Sequence, residues 1–198
     1  VTICGKKING LTPGQVRELG LSHIPEDRMS TGVSAESSIT DNLIAGKQKR
    51  KAFSSGGFVR KVSSVTRYAE KIFKEFDIRA ADVSTEVKSL SGGNIQKTVV
   101  AREFSFEKSK VFIVCQPTRG VDIGAIEYIH SLIIKKRDEG CAILLISADL
   151  DELMRISDRM ITIFEGRITG EFVTVSAKAS EVGLHMTKAT EHEVSDVE

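Results

Sequence analysis

Short apolar runs and helical stripes of apolar residues alternate along most of the 198-residue chain. The runs have strand length, and the two later ones contain no charged position, which is typical of strands buried on both faces. They lie at residues 21–24, 111–115 and 141–146. Helices are predicted from Thr12-Pro13 onward, at residues 38–45, from Ser91 to about 104, between Asp122 and Gly140, and at residues 149–156. This alternation predicts an α/β fold with parallel strands.

The longest predicted helix lies between Phe58 and Phe76. Its apolar residues repeat at helical spacing, so we interpret them as core residues. They are Phe58, Val62, Val65, Ala69, Ile72, Phe73 and Phe76. A second stripe is expected to be buried after Asp122, and it consists of Ile123, Ile126, Ile129, Leu132 and Ile133.

Turn signals occur near both ends of the chain. Val1–Cys4 has the pattern of a strand, and Asn9-Gly10 after it predicts a turn, since Asn-Gly is a strong hairpin signal. Towards the other end, Met160–Phe164 and Arg167–Phe172 are predicted to pair as a hairpin around Glu165-Gly166.

Composition and charge limit the classes of function. Hydrophobic residues make up 40% of the chain, enough for one domain-sized core, and the formal net charge is +1. A dedicated nucleic-acid binder usually carries a clear basic excess, so this balance argues against one. One local basic cluster is interpreted as a solvated loop. It consists of Lys47, Lys49, Arg50 and Lys51.

Cysteine and histidine usage predicts no metal site. Cys4, Cys115 and Cys141 include no CxxC pair, which fits a reducing, cytoplasmic setting without disulfides. The histidines are scattered without metal-ligand spacing. They are His23, His130, His185 and His192. No apolar run approaches the ~20 residues that span a bilayer, so any link to a membrane is expected to come through a partner.

The sharpest chemical signal is Ser91-Gly92-Gly93 at the start of a predicted helix. Two glycines after a serine let a phosphate approach the backbone, where the N–H groups at the helix start and the serine hydroxyl would face it. The alternative is that Ser91 only caps the helix after a flexible turn. The three residues alone favour this alternative, so the surrounding motifs decide between the two.

Those motifs resemble the ABC ATPase family in both order and spacing. Leu90–Gln96 matches the signature motif, residues 115–122 match the Walker B region and the D-loop with Asp122, and residues 146–152 match the H-loop. A finer resemblance is to the second ATPase half of the fused subunits of sugar and nucleoside importers, and residues 115–120 look more like the nucleoside branch. This finer resemblance rests on Pro25-Glu26-Asp27-Arg28, on Asn94 within the signature, and on Pro117–Asp122.

The resemblance implies an α/β, ABC-type P-loop NTPase core with a mainly helical subdomain. The expected domains are residues 1–36 as part of the core, 37–104 as the helical subdomain with the signature, 105–175 as the rest of the core, and 176–198 as a weakly helical to disordered tail. The core is expected to be incomplete, because GxxxxGK[ST], the phosphate-cradling Walker A motif, does not occur in the sequence. The abrupt strand at Val1 predicts truncation of a longer chain rather than loss of the motif in nature.

A second departure from the family lies in the residues that carry hydrolysis. The Walker B Asp and Glu positions hold Cys115 and Gln116, and a thiol suits Mg²⁺ poorly while an amide cannot accept a proton from water. The H-loop histidine position holds Ala148, and the Q-loop position holds Glu26. No catalytic residue is therefore expected in this half, and its own site is predicted to be hydrolytically inactive.

The intact signature nevertheless implies a role. In the family two halves meet head to tail, and the signature of one covers the ATP held by the other. The residues expected to contact that nucleotide are Ser91, Gly92, Gly93, Asn94 and Gln96. The resemblance thus implies part of the energy-coupling subunit of an importer for simple sugars or nucleosides, at the cytoplasmic face of the membrane. Its implied partners are the other ATPase half, the transmembrane permease and, indirectly, a substrate-binding protein.

ATP and Mg²⁺ are expected in the full-length subunit, and neither is expected to be bound to this chain alone. An alternative is a soluble ABC protein acting on nucleic acid or ribosomes. That class predicts two competent sites and more positive charge than +1.

Overall fold

The computed structural model describes residues 1–187, which form two compact units, Val1–Ile146 and a second that begins at Ser147. The acidic end predicted after Thr187 lies outside the described residues. The strands are β1 (Thr2–Ile3), β2 (Lys6–Lys7), β3 (Leu21–Ile24), β4 (Ser54–Ser55), β5 (Val59–Arg60), β6 (Val111–Cys115), β7 (Ala142–Ile146), β8 (Arg159–Phe164) and β9 (Arg167–Val173). The helices are α1 (Pro13–Glu18), α2 (Ile39–Ile44), α3 (Val62–Glu75), α4 (Gly92–Phe104), α5 (Ile123–Asp138), α6 (Leu150–Ile156) and α7 (Ala179–Thr187).

A three-stranded parallel sheet in the order β3-β6-β7 forms the centre of the first unit. This confirms the predicted α/β fold with parallel strands. The middle strand β6 buries Phe112 and Val114, and Phe112 packs edge to face on Phe104 of α4 with the ring centroids 4.9 Å apart. Aromatic pairs of this geometry add specific attraction to the area that they bury.

The prediction that β7 is buried on both faces is wrong. Leu144 is 51% exposed and Ile146 is 47% exposed. The physical reason is position: within the described residues β7 pairs only with β6 and is an edge strand of its sheet. A continuous apolar run does not reveal how many neighbours a strand has.

Local capping chemistry explains where several helices begin. Thr12 caps α1 with a reciprocal capping box to Gln15, and Pro13 occupies the first turn. Asp122 caps α5 through the backbone N–H of Ala125 at 2.9 Å, and Asp149 caps α6. These helix starts were predicted, and the structure confirms them.

The segment predicted as one long helix from Phe58 begins later. Gly56 and Gly57 adopt positive φ and close a tight turn between β4 and β5, so α3 starts only at Val62. Phe58, at 95% exposure, and Val62, at 65%, are therefore not core residues as predicted. Val65, Ala69, Ile72 and Phe76 are buried as predicted, whereas Phe73 is half-buried, and α3 packs against α2 and α4.

The predicted turn at Asn9-Gly10 is confirmed and follows β2. The hairpin turn that joins β1 to β2 was not predicted; it is Cys4-Gly5, with positive φ at both residues. In α5 the buried residues are Ala125, Ile129, His130 and Ile133, while Ile126 and Leu132 of the predicted stripe are half-buried. Ile123, predicted to be buried, is 77% exposed because it directly follows the cap, before the first buried position of the helix.

The basic cluster is only partly the solvated loop that was predicted. Lys47 is 2% exposed, and its ammonium group donates to the Tyr68 hydroxyl at 2.6 Å, the Ser105 hydroxyl at 2.8 Å and the Arg102 carbonyl at 3.0 Å. Three acceptors match the three donors of a lysine, which makes this burial tolerable. Burial lowers the pKa of Lys47 to about 7, although the charge of Glu103 acts in the opposite direction.

The second unit contains the antiparallel pair β8-β9, and α7 packs on both strands. Glu165-Gly166 forms the hairpin turn, as predicted, with positive φ at both residues. The helix α7 falls within the stretch predicted to be weakly helical. Among the described residues, no helix combines the length and the apolar character that crossing a bilayer requires.

Candidate functional site

Two loops meet at the carboxyl edge of the parallel sheet. The β3 loop (residues 25–32) follows Ile24, and the β6 loop (residues 116–122) follows Cys115. Because β3 and β6 are parallel neighbours, both loops leave the sheet on the same edge, where ligands of α/β proteins commonly bind. The signature turn, Ser91 to Gly93 at the start of α4, lies against both loops.

Ser91 occupies the N-cap position of α4, but its side chain makes no capping hydrogen bond. Its Oγ instead accepts a hydrogen bond from Nδ2 of Asn94 at 2.9 Å, and Oδ1 of Asn94 accepts from the backbone N–H of Arg79 at 2.8 Å. The Asn94 amide is thereby fixed in one orientation, and the hydrogen of the Ser91 hydroxyl remains for an acceptor outside the turn. The interpretation of Ser91 as a simple helix cap does not fit this geometry.

The two glycines of the signature turn are sites of close approach. A Cβ atom at Gly92 would lie 2.8 Å from Nη2 of Arg28 and 3.3 Å from the carbonyl oxygen of Gly120. A Cβ atom at Gly93 would lie 3.0 Å from Oδ2 of Asp122. The space that side chains would occupy is filled by the two loops, so the turn presents bare backbone.

Gln96 and Asp122 hold the β6 loop against α4. Gln96 is 2% exposed, and its Nε2 donates to the carbonyl oxygen of Pro117 at 2.8 Å. Asp122 uses one carboxylate oxygen to cap α5, and its other oxygen faces Gly93. In this chain the side chain of Gln96 is therefore bound to the loop, whereas Ser91 is exposed, Gly92 is half-buried and Gly93 is buried.

Arg28 is a site residue that the sequence interpretation left without a role. Its Nη1 donates to the carbonyl oxygen of Arg119 at 2.6 Å, and its Nη2 donates to that of Gly120 at 3.1 Å. Nearby, Glu26 pairs with Arg119 at 2.7 Å, with both side chains more than half exposed, so this pair contributes little stability. In the sequence, Arg28 was noted only as the last residue of Pro25-Glu26-Asp27-Arg28, which supports the finer family resemblance.

Similarity to solved structures identifies the fold of the chain. The chain superposes with a TM-score of 0.69 on the dimeric, post-hydrolysis ATP-binding cassette MJ0796 bound to ADP and Pi, at 18% identity over 87% of this chain and 72% of that one. An ATP-binding subunit of an ABC transporter matches with the same TM-score, at 19% identity over 93% of this chain and 74% of that one. The chain has the fold of an ATP-binding cassette. Comparison with family models gave no match.

The cassette is also similar in sequence to curated import subunits. It is 38% identical over 193 residues to the guanosine import ATP-binding protein NupO of Bacillus subtilis (strain 168), covering 98% of this chain and 38% of that protein. It is 37% identical to the nucleoside import ATP-binding protein NupA of Lactococcus lactis subsp. cremoris (strain MG1363), covering 94% of this chain and 36% of that protein. The ribose import ATP-binding protein RbsA of Oceanobacillus iheyensis is 34% identical, and the match covers 98% of this chain and 38% of that protein. The chain thus spans little more than a third of the length of these relatives.

The side chains at the end of β6 do not fit a Mg²⁺ ion. Burial, and secondarily the charge of Glu26, raise the pKa of the Cys115 thiol, so it stays protonated at neutral pH and is a poor ligand for a hard cation. Its Sγ lies 3.9 Å from Nε2 of His23. Gln116 has a φ of 46°, and its backbone N–H donates to the carbonyl oxygen of Ile146 at 2.8 Å. Ala148 lies in the second unit, two residues before α6, and its methyl group has no hydrogen-bonding capacity.

Proposed function

We propose that this cassette is part of the ATP-binding, energy-coupling subunit of an importer for nucleosides or simple sugars. In this proposal its signature turn completes the ATP site of a partner ATPase half, which supplies the phosphate loop and Mg²⁺, while its own site is hydrolytically inactive. The observation that carries the proposal is the contrast between an intact signature turn and a Walker B position without carboxylates.

The geometry of Ser91 supports a contact with phosphate. Oγ of Ser91 already accepts a hydrogen bond from Nδ2 of Asn94, so the Ser91 hydroxyl can act as a donor. The N–H groups of the first turn of α4 have no acceptor within the helix. A phosphate presented by a partner would therefore meet a hydroxyl donor, several N–H donors and the positive end of a 13-residue helix. Asn94 and Gln96 act in this proposal by fixing the turn, and Asp122 fixes its base.

The inactivity of this half follows from what its side chains cannot do. ATP hydrolysis needs a metal held by oxygen ligands and a group that orients and deprotonates water. A protonated thiol at Cys115 and an amide at Gln116 supply neither. Glu26 carries a carboxylate, but this carboxylate is paired with Arg119 of the β6 loop.

An exposed apolar surface on the helical segment supports docking to a permease. Phe58, Val59 and Val62 are all more than 60% exposed at the end of the β4-β5 hairpin and the start of α3. Beside the hairpin lies a cavity of about 210 Å³ lined in part by Ile44 and Phe53. Exposed aromatic and aliphatic side chains next to a cavity are typical of protein interaction sites. We propose that the permease covers this surface, which would place the cassette at the cytoplasmic face of the membrane.

The proposal is tested by replacing the hydroxyl that would reach the partner's nucleotide. Ser91→Ala, measured in the complete transporter with its permease, is expected to lower ATP turnover by about tenfold or more, because a hydrogen bond to a charged group contributes about 1.5–3 kcal/mol. The matched control is Ser89→Ala, since Ser89 is an exposed serine two residues earlier whose hydroxyl donates to the carbonyl of Glu86.

The control is expected to keep turnover within about twofold of the parent, because it removes only a local, solvent-exposed hydrogen bond. Equal turnover of Ser91→Ala and the parent would show that the signature turn does not serve an ATP site. Copurification with ribosomes or nucleic acid instead of a permease would support the soluble ABC protein.

A further inference from the structure

Arg28 joins three segments that come from distant parts of the chain. It belongs to the β3 loop, its guanidinium group donates to two carbonyl oxygens of the β6 loop, and Nη2 lies 2.8 Å from the position that a Cβ atom of Gly92 would occupy. The side chain therefore fills the corner between the signature turn and the β6 loop. Asp27 keeps the backbone of the β3 loop fixed, because Oδ1 accepts from the N–H groups of Met29 and Ser30 at 2.9 and 3.1 Å.

The charge of Arg28 makes this placement unusual. A cation beside the first turn of a helix is electrostatically unfavourable, since the helix start is itself positive. Two charge-assisted hydrogen bonds to Arg119 and Gly120 offset this cost. The bonds go to backbone carbonyls, so they set the path of the β6 loop whatever side chains that loop carries.

We infer that Arg28 is the positioning residue that sets the signature turn relative to the β6 loop, and that it acts on turnover through Ser91 and the glycines rather than by touching the nucleotide. The planar fork of an arginine can hold two carbonyl oxygens at once while its edge supports Gly92. A lysine offers a point charge and cannot hold that geometry as well. This inference rests on the proposed role of the signature turn in a partner's ATP site.

The test is a double-mutant cycle in the complete transporter. Arg28→Met is expected to lower kcat for ATP by about tenfold, with the KM for ATP changed less than about threefold. Arg28→Lys is expected to recover part of this loss. If Arg28 acts through the turn, Ser91→Ala will cost much less in the Arg28→Met background than in the parent, because a displaced hydroxyl contributes little.

The control cycle combines Ser91→Ala with Arg159→Met. Arg159 is exposed in the second unit and pairs with Glu171 at 3.5 Å. The fold-change in kcat of the double variant is expected to equal the product of the fold-changes of the two single variants, because the two sites share no partner. Thermal unfolding of each variant verifies folding, and if Arg28→Met does not fold, the cycle with Arg28→Lys decides.

Independent, multiplying effects of Arg28 and Ser91 would overturn the inference, and so would a loss confined to KM. These outcomes differ from failure of the proposed function, in which Ser91→Ala has no effect in any background. A strong coupling between Arg28 and Ser91, with additivity in the control cycle, supports the positioning role.

Discussion

In the proposed function, Gly92→Asp should strongly lower ATP turnover at the site that the signature turn completes in the partner ATPase half. The new Cβ atom would lie 2.8 Å from Nη2 of Arg28 and 3.3 Å from the carbonyl oxygen of Gly120. The arginine side chain can move, so the helix can still form, and the carboxylate would pair with the guanidinium group. That pairing draws Nη2 away from Gly120, to which it is hydrogen-bonded at 3.1 Å. The substitution thus adds a negative charge to the turn and loosens the β6 loop at the same time.

The expected magnitude follows from the contacts that are lost. Removal of one preorganised donor to a developing charge costs about 2.7–4 kcal/mol, and here a carboxylate also repels the phosphate. A loss of at least ~3 kcal/mol of transition-state stabilisation corresponds to about a hundredfold or more in turnover. Gln116→Ala should change turnover little, because the amide of Gln116 has no proton-accepting role to lose.

The assay compares ATP turnover and cargo uptake of the complete transporter. The matched control is Gly14→Asp, which places the same side chain in the first turn of α1, where a Cβ atom meets nothing within 4 Å. An acidic residue suits that position because the helix start is positive. Thermal unfolding of all three variants separates loss of function from loss of fold. If Gln116→Ala proves more damaging than Gly92→Asp, this half has a working hydrolytic site and the proposed division of roles is wrong.

Three further predictions address other parts of the chain. The isolated chain should neither bind MgATP with micromolar affinity in calorimetry nor release phosphate, and steady turnover would contradict the inactive site. Phe58→Ser should reduce cargo uptake without changing the midpoint of thermal unfolding. Val175→Ser, at an equally exposed position, should change neither quantity. Equal uptake by both variants would exclude Phe58 from the permease interface. The pKa of Lys47 falls from 10.5 to about 7 on folding, so between these pH values the unfolded chain binds more protons and stability rises with pH. In urea unfolding, the free energy of unfolding of the parent should therefore rise by about 2 kcal/mol relative to that of Lys47→Met between pH 7 and 9. If the two free energies change in parallel with pH, Lys47 titrates normally.

The features predicted correctly from the sequence depend on neighbours in the chain. Thr12, Asp122 and Asp149 cap helices through bonds to residues three positions away, so a short stretch of sequence contains the whole interaction. The Glu165-Gly166 turn is similar, because its two residues adopt the positive φ that such a turn requires. The order and spacing of the motifs along the sequence were also sufficient to predict the fold of an ATP-binding cassette.

The features that were missed depend on partners far along the chain. Lys47 is buried because Tyr68, Arg102 and Ser105 supply acceptors, the first from 21 residues away and the others from 55 and 58. Leu144 is exposed because its strand is an edge strand, which its own apolar run cannot reveal. Arg28 reaches across 91 and 92 residues to the β6 loop, a separation at which no local pattern exists.

The same geometry explains how a signature turn can remain intact beside a degenerate Walker B region. The β6 loop is held by bonds to backbone carbonyls: Gln96 donates to Pro117, and Arg28 donates to the two residues at 119 and 120. None of these bonds involves the side chains of Cys115, which directly precedes the loop, or Gln116, which begins it. In the proposed function, a thiol and an amide in place of carboxylates at the end of β6 would therefore remove metal binding and water activation without moving the carbonyls that support the turn. The two roles are separable because one depends on side-chain chemistry and the other on the path of the backbone, and a cassette of this kind can lose the first while it keeps the second.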